Sequence, residues 1–405
     1  MAVVNVIPLD LDAGNPELDE MVILVFIQVW PFRLNTGKSG ETLEWLTDVL
    51  SGFTGEQRLA LRDAPRQGFE YSHTLESHDF TRAKNYARQH TYMRVPVWAE
   101  RTRLTGNLTA AATEILFDTA NADYRVGSNI IVWENPDKTA VALVNTVNAD
   151  KLILSAALGT DFATPIVAPL RTALVVDGLK TSRKPGAIAE SNIRFLAINN
   201  IDLAGSIGYP QYQSLDVMIE STVVIGDISE TIINTSEFID SGLGPIVIER
   251  AKDYADFGQT LGFYEQGIDR LWRRRQWLHS LKGKQKSFWL PSFIDDLVLL
   301  TPIGASDTTI TVERIGVPGT FVGRHIMIET TPGTRYFREI TLAVDGGVDE
   351  MDLTISSSLG TAVSVESVSR FSILSKVRLN SDRVRISYLA ADVVTLSVPV
   401  TEVVA

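Results

Sequence analysis

VPVWAERTRL, Val95 to Leu104, and LPSFIDDLVL, Leu290 to Leu299, decide how this chain is read. Proline meets proline, Pro96 with Pro291, and an aromatic follows two places later in both, Trp98 and Phe293. The offset is 291 − 96 = 195. It runs without a gap into TAAATEILF (Thr109 to Phe117) against GASDTTITV (Gly304 to Val312). With small slips, YRVGSNIIV (Tyr124 to Val132) then meets FVGRHIMI (Phe321 to Ile328) through Gly127 and Gly323, and Pro136 meets Pro332. LILSAALGT (Leu152 to Thr160) follows against LTISSSLGT (Leu353 to Thr361). Each match is short, but their shared order marks an internal duplication.

The repeated blocks alternate, are rich in Val, Ile, Thr and Leu, and are separated by Gly, Asn, Asp and Pro. That pattern predicts a small antiparallel β-barrel or sandwich over roughly 105–172 and another over 300–374. The segments ahead of each barrel repeat in type. FEYSHTL (Phe69 to Leu75) reads as a strand, SHDFTRAKNYARQH as a helix with Ser77 as N-cap, and TYMRVPVW as a strand. In the second copy QTLGFYE (Gln259 to Glu265) is the strand. GIDRLWRRRQWLHSLKGK is the helix, with Ile268, Leu271, Trp272, Leu278 and Leu281 at helical spacing and Gly283 at its end, and KSFWLPSF is the next strand. NIRFLAIN (Asn192 to Asn199) and RVRISYLAADVVTLSVPV (Arg383 to Val400) read as strands that rejoin the parent sheet. The division is therefore 1–104 plus 173–205 for the first module and 206–299 plus 375–405 for the second, each with its inserted barrel. Residues 200–235 connect the copies.

Composition narrows the function classes. The chain has 405 residues, no cysteine and a formal net charge of −12. A disulfide framework, a thiolate zinc site and a cysteine nucleophile are excluded, and wholesale DNA wrapping is disfavoured. The strongly apolar run MVILVFIQVW, Met21 to Trp30, is too short to span a bilayer. Glu17, Asp19 and Glu20 precede it where a signal peptide carries basic residues, so it reads as a buried strand.

Catalytic patterns do not converge. TGKSGET at Thr36 to Thr42 has Phe32 where a phosphate-binding loop needs glycine, and reads as a surface turn. The five histidines (His73, His78, His90, His279, His325) contain no His-Glu-x-x-His helix. GSIGYP at Gly205 has the wrong glycine spacing for a serine elbow. Asp295 and Asp296 are adjacent, so on a strand they face opposite sides, unlike a glycosidase pair. No cofactor or metal site is expected. The basic segment stands out: Arg270, Arg273, Arg274, Arg275, Lys282, Lys284 and Lys286 lie close together in an acidic chain. Nucleic-acid binding, with Trp272 and Trp277 as stacking surfaces, is one reading. The favoured one is an inter-subunit contact by Arg270, Arg273, Arg274, Arg275 and Trp277, because arginine forks and tryptophan suit interfaces.

ETLEWLTDVLSGFTGEQRLALRDAPRQGFEYSHTL, Glu41 to Leu75, resembles the opening of siphophage tail proteins of the distal tail or upper hub family. The resemblance lies in Trp45, Thr47 and Asp48, in the Gly55–Arg58 turn, in Arg62, Pro65 and Arg66, and in the strand Phe288 to Pro291 after a helix. It covers about 30–110 and 255–300. It implies a mainly β chain of two tail-tube-like β-sandwich modules, each with a flanking helix and an inserted barrel, standing side by side around a DNA channel. The family is structural, so no catalytic residue is carried over and no enzyme activity is expected. A duplicated module suggests three chains rather than six in a closed ring at the phage tail tip. Expected partners are the tail tube protein, other baseplate or hub proteins and fibres, with assembly in the bacterial host cytoplasm. DNA is expected to pass through the channel without specific binding, and no membrane anchor is expected. The rival reading is a tail-associated carbohydrate-binding or hydrolytic protein.

Overall fold

A computed structural model describes residues 27–52, 55–183, 188–220, 230–233, 236–240, 242–250, 256–331, 333–390 and 392–403. Strand dominates, and the chain is mainly β with large antiparallel sheets. Of the apolar run at 21–30, residues 21–26 lie outside the described residues. Gln28–Val29 (β1) pairs parallel with Met93 and Arg94, and Trp30 is buried.

The first half continues with β2 (Ser39–Glu44), a hairpin of β3 (Thr47–Ser51) and β4 (Glu56–Ala60), then β5 (Arg66–Glu76), α1 (Ser77–Gln89) and β6 (Tyr92–Pro96). An inserted unit follows: β7 (Thr102–Arg103), β8 (Glu114–Leu116), β9 (Asn129–Asn135), β10 (Lys138–Asn148) and β11 (Lys151–Leu154). The long β12 (Ile166–Arg183) closes that unit at one end and re-enters the parent sheet at the other, and β13 (Ile188–Ala197) completes the half. A connection carries the small hairpin β14 (Gln211–Tyr212) and β15 (Leu215–Asp216).

The second half repeats this order, without strands matching β1 and β7 among the described residues. Its elements are β16 (Glu230–Ile233), the hairpin β17 (Ser236–Ile239) and β18 (Val247–Arg250), β19 (Asp256–Gln266), α2 (Ile268–Leu281) and β20 (Ser287–Pro291). The insert is β21 (Thr309–Glu313), β22 (His325–Thr330), β23 (Arg335–Gly347) and β24 (Glu350–Ile355), followed by β25 (Val368–Leu379), β26 (Arg383–Tyr388) and β27 (Val393–Glu402). Here β25 and β26, broken at 380–382, together do what β12 does alone. In β12 the same place holds a bulge at Asp177 and Gly178, both with positive φ.

The repeat extends to the register of matching strand pairs. Met93 opposes Ala173 and Phe288 opposes Val377; Ile131 opposes Val141 and Met327 opposes Phe337. Ile115 faces Leu152 as Ile310 faces Leu353, and the isolated bridge Leu108–Phe162 returns as Ile303–Val363. Outside the inserts, Phe69 faces Phe195 and Glu41, as Gln259 faces Val400 and Glu230. A one-residue slip would turn every side chain to the other face, so a shared register fixes a shared core. In β13 the inward set is Ala189, Ser191, Ile193, Phe195 and Ala197, and in β27 it is Val394, Leu396, Val398 and Val400.

Each insert has its own apolar centre, one around Ile115, Val132, Leu152 and Phe162, the other around Ile310, Ile328, Leu353 and Phe371. The parent sheets share a single core in which Trp45, Phe69 and Phe195 join Trp277, Leu278, Leu379 and Ile386. The halves are fused because β2 pairs on one side with β5 of its own half and on the other with β26 of the second half. The strand order across the junction is β6-β12-β13-β5-β2-β26-β27-β19-β16.

Two local expectations change. Ser77 is the first helical residue of α1 rather than its cap; Glu76 precedes the helix with no side-chain cap bond. Asp295 and Asp296 lie in the loop after β20, not on a strand. Their carboxylates accept the backbone N–H groups of Phe371 (3.1 Å) and Ile373 (2.7 Å).

Candidate functional site

The chemistry of this protein concentrates where the halves meet, around α2. Its apolar stripe buries Leu271, Trp277, Leu278 and Leu281. The helix stops at Lys282 and Gly283, both in the left-handed region (φ 53° and 65°). Glycine suits 283, because its φ is positive and a Cβ there would stand 2.9 Å from the Trp45 Cβ and crowd the Asp382 carboxylate. The successive arginines at 273, 274 and 275 diverge, as 3.6 residues per turn demands.

Arg275 points across the junction into the first half. Its Nε and Nη2 donate to one oxygen of Glu41 on β2 at 3.0 and 2.6 Å, and its Nη1 donates to Glu100. The Tyr388 hydroxyl on β26 donates to the other Glu41 oxygen at 3.1 Å. Glu100 also accepts the backbone N–H of Asp123 at 2.7 Å, and the Asp123 carboxylate is held by Arg125 and Arg171. Glu41, Glu100, Arg171 and Arg275 are all buried. Burial pushes the Glu100 carboxyl up, with Arg275 and Arg171 drawing it back. Burial works to lower Arg275, yet Glu41 and Glu100 hold it above its ordinary value, so the guanidinium stays charged. Burial also works to raise Asp123, but the Arg125 hydrogen bond and the Arg171 charge hold it below its ordinary value.

Arg274 turns the other way, into its own half and the connection. Nε donates to Glu265 at 2.8 Å, Nη1 to the Tyr209 hydroxyl at 2.9 Å and Nη2 to Glu220, while the guanidinium stacks over the Phe263 ring at 4.1 Å. The connection thereby straps onto α2, with Leu203 N–H donating to His279 Nδ1 at 3.1 Å. Burial and the Arg275 charge lower the His279 pKa to about 4.

For Arg274, Arg275 and Trp277 these placements correct the expectation of an inter-subunit surface. Arg274, Arg275 and Trp277 are interior, and both arginines are matched by carboxylates of the same chain. Only Arg270 and Arg273 are exposed, Arg273 within 3.4 Å of Asp269 one turn earlier. Nothing in the spacing of Glu41 and Arg275, 234 residues apart, reveals their contact. The available signal was the helix itself: with apolar residues on its inner face, three successive arginines cannot all reach solvent.

A second clamp sits at the corner between β2 and β3. Asp382, in the break between β25 and β26, accepts the backbone N–H of Thr47 (2.8 Å) and of Lys284 (3.0 Å) and the Thr47 hydroxyl (2.8 Å). Glu56 of the first hairpin receives the Arg378 fork at 2.6 and 2.9 Å.

The phosphate-loop candidate and His73 have structural places. Thr36–Lys38 is the turn that opens β2. His73 is buried, accepting from Trp30 Nε1 at 3.0 Å and donating through Nδ1 to the Arg33 carbonyl at 2.9 Å, whereas His78 is exposed on α1. The two do not converge. Among the described residues no helix is long and apolar enough to cross a membrane. No protein-family model matches the chain, and no curated protein matches it in sequence.

Proposed function

We propose that this protein is a structural ring component of the tail tip of a long-tailed phage, a baseplate hub or distal tail ring that encloses the DNA channel and docks tail-tip or fibre proteins. The observation that carries the reading is the edge-to-edge fusion of two copies of one module into a continuous sheet. An operation that joins module to module head to tail is the one a ring repeats. The junction between the two modules is built from matched ion pairs and apolar packing. The inserted units, each with its own core, serve as docking surfaces.

The test is the native mass and rotational average of the purified chain, alone and with neighbouring tail proteins. Three chains with six modules are expected, and six chains would give the distal tail ring. A chain that stays monomeric at high concentration with those proteins present overturns the reading. Turnover of a glycan polymer by the pure protein would replace it with the carbohydrate-active rival.

A further inference from the structure

β2 and β16 hold the same place in the repeat, and so do β26 and residues 178–183 of β12. Within one chain only one member of each pair finds the other half, since β2 lies against β26. Among the described residues, β16 pairs only with β19, and residues 178–183 pair only with β13. Burial follows that asymmetry. Leu43 is 1% exposed and its counterpart Ile232 is 70% exposed. Ile386 and Tyr388 are buried, and their counterparts Thr181 and Arg183 are exposed. Open strand edges with apolar side chains invite another strand.

We infer that these two open edges pair with each other between successive copies of the chain. β16 of one protomer lies antiparallel against residues 178–183 of β12 in the next, in the register of the internal junction. The inference rests on the ring reading and gives that ring its contact. At the junction Glu41 opposes Ile386, Thr42 opposes Arg385 and Leu43 opposes Val384. Carried to the equivalent positions, Glu230 opposes Thr181, Thr231 opposes Lys180 and Ile232 opposes Leu179.

Charge supports the same assignment. Glu41 at the junction is gripped by Arg275 of α2 and by the Tyr388 hydroxyl. With the helices matched from their first residues, Ser77 and Ile268, so that buried Phe80 and Ala83 meet buried Leu271 and Arg274, the counterparts on the open edges are Glu230 on one side, and Lys84 of α1 and Arg183 on the other. Lys84 Nζ lies 4.6 Å from the Phe80 ring centre and the Arg183 guanidinium carbon 6.0 Å from it. Both cations thus border the Phe80 ring, on the half that the proposed pairing brings against Glu230. Glu100, the second carboxylate on Arg275, has Asp295 as its counterpart, which is exposed. Asp382, which clamps the β2–β3 corner, has the exposed Asp177 in the corresponding bulge. Glu230 and Asp295 belong to one half and Lys84, Lys180 and Arg183 to the other, so these charges complement each other between copies.

The chain has no cysteine, so introduced pairs report without background. Opposed strand residues stand about 4.5–5.5 Å apart at Cα, within disulfide reach. Mild oxidation of the Ile232→Cys, Leu179→Cys protein is expected to give a covalent ladder that ends at the ring size. The neighbouring Ile232→Cys, Lys180→Cys pair, with its side chains on opposite faces, is expected not to link. Leu43→Cys with Val384→Cys, at the internal junction, should close within the monomer and calibrates the reaction. Glu230→Lys is expected to weaken assembly by at least about tenfold, roughly 1.4 kcal/mol, with recovery on adding Lys84→Glu and Arg183→Glu. Rings that form without in-register links overturn the edge pairing and leave the ring reading standing. A chain that stays monomeric under every condition removes both.

Discussion

The two helices hold equivalent places in the repeat and meet opposite surroundings. α2 takes Arg274 and Arg275 into the interior; at the matching positions α1 has Ala83, buried, and Lys84, half-buried over Phe80. The difference lies in what stands beyond each helix. α2 is covered by the first half, which supplies Glu41, Glu100 and Trp45. Among the described residues no second module covers α1. A guanidinium survives burial only where carboxylates and hydrogen bonds replace water. One module used twice has thus diverged according to its neighbours, with matching strand pairs and different polar chemistry at the same site.

The sharpest way to break the comparison is Arg275→Ala against Lys84→Ala. Removing Arg275 strands Glu41 and Glu100 in the core and is expected to cost about 3–5 kcal/mol, read as a lower denaturation midpoint. Lys84→Ala is expected to change monomer stability by less than about 1 kcal/mol. If the two cost the same, the junction is not held by its ion pairs.

His279 extends the contrast to pH. Its counterpart in α1 is Arg88, which is exposed. The folded His279 binds its proton only near pH 4, against an ordinary value of 6.5, so below 6.5 the unfolded chain takes up a proton that the fold refuses. Stability is full above about 6.5 and falls steadily to about 4, by roughly 3 kcal/mol in all. Urea titrations at pH 7 and 4.5 measure the slope. His279→Gln, which can still accept from Leu203 N–H, is expected to flatten it.

Gly40 tests how closely β2 and β26 approach. A Cβ at this position would stand 2.5 Å from the Ile386 carbonyl oxygen. Gly40→Val is expected to cost about 1–3 kcal/mol, while Gly55→Ala, which meets nothing within 4 Å, should stay within about 0.5 kcal/mol. The smallest effects separate Arg273 from its counterpart Arg82. Arg273→Ala loses one exposed helical pair, roughly 0.3–0.5 kcal/mol. Arg82 ties α1 to the inserted unit through Asp137 and the Pro136 carbonyl (2.7 Å), so Arg82→Ala is expected to cost about 1 kcal/mol.

What was legible in the chain follows from the range of each interaction. The offset from Pro96 to Pro291 reappears as hydrogen-bond register because a strand's period of two ties each side chain to a face, and prolines and glycines fix where strands end. The helices showed through their apolar spacing for the same local reason. The equivalence of β2 and β16 was not legible: SGETLE and the segment at β16 share little beyond Glu-Thr, since a strand that is buried in one place and open in the other keeps only its backbone role.

The amino-acid sequence by itself determined that this is a mainly β chain carrying one plan twice. That information lies in alternation, turn residues and helical spacing, all set within a few residues of one another. Only the tertiary structure decided that the arginine run faces inward and that Glu41 meets Arg275. It also decided that β2 bonds the second half while β16 keeps an open edge. Those outcomes depend on desolvation and on partners more than 200 residues away, and a charge in a sequence carries no mark of whether water or a carboxylate will surround it.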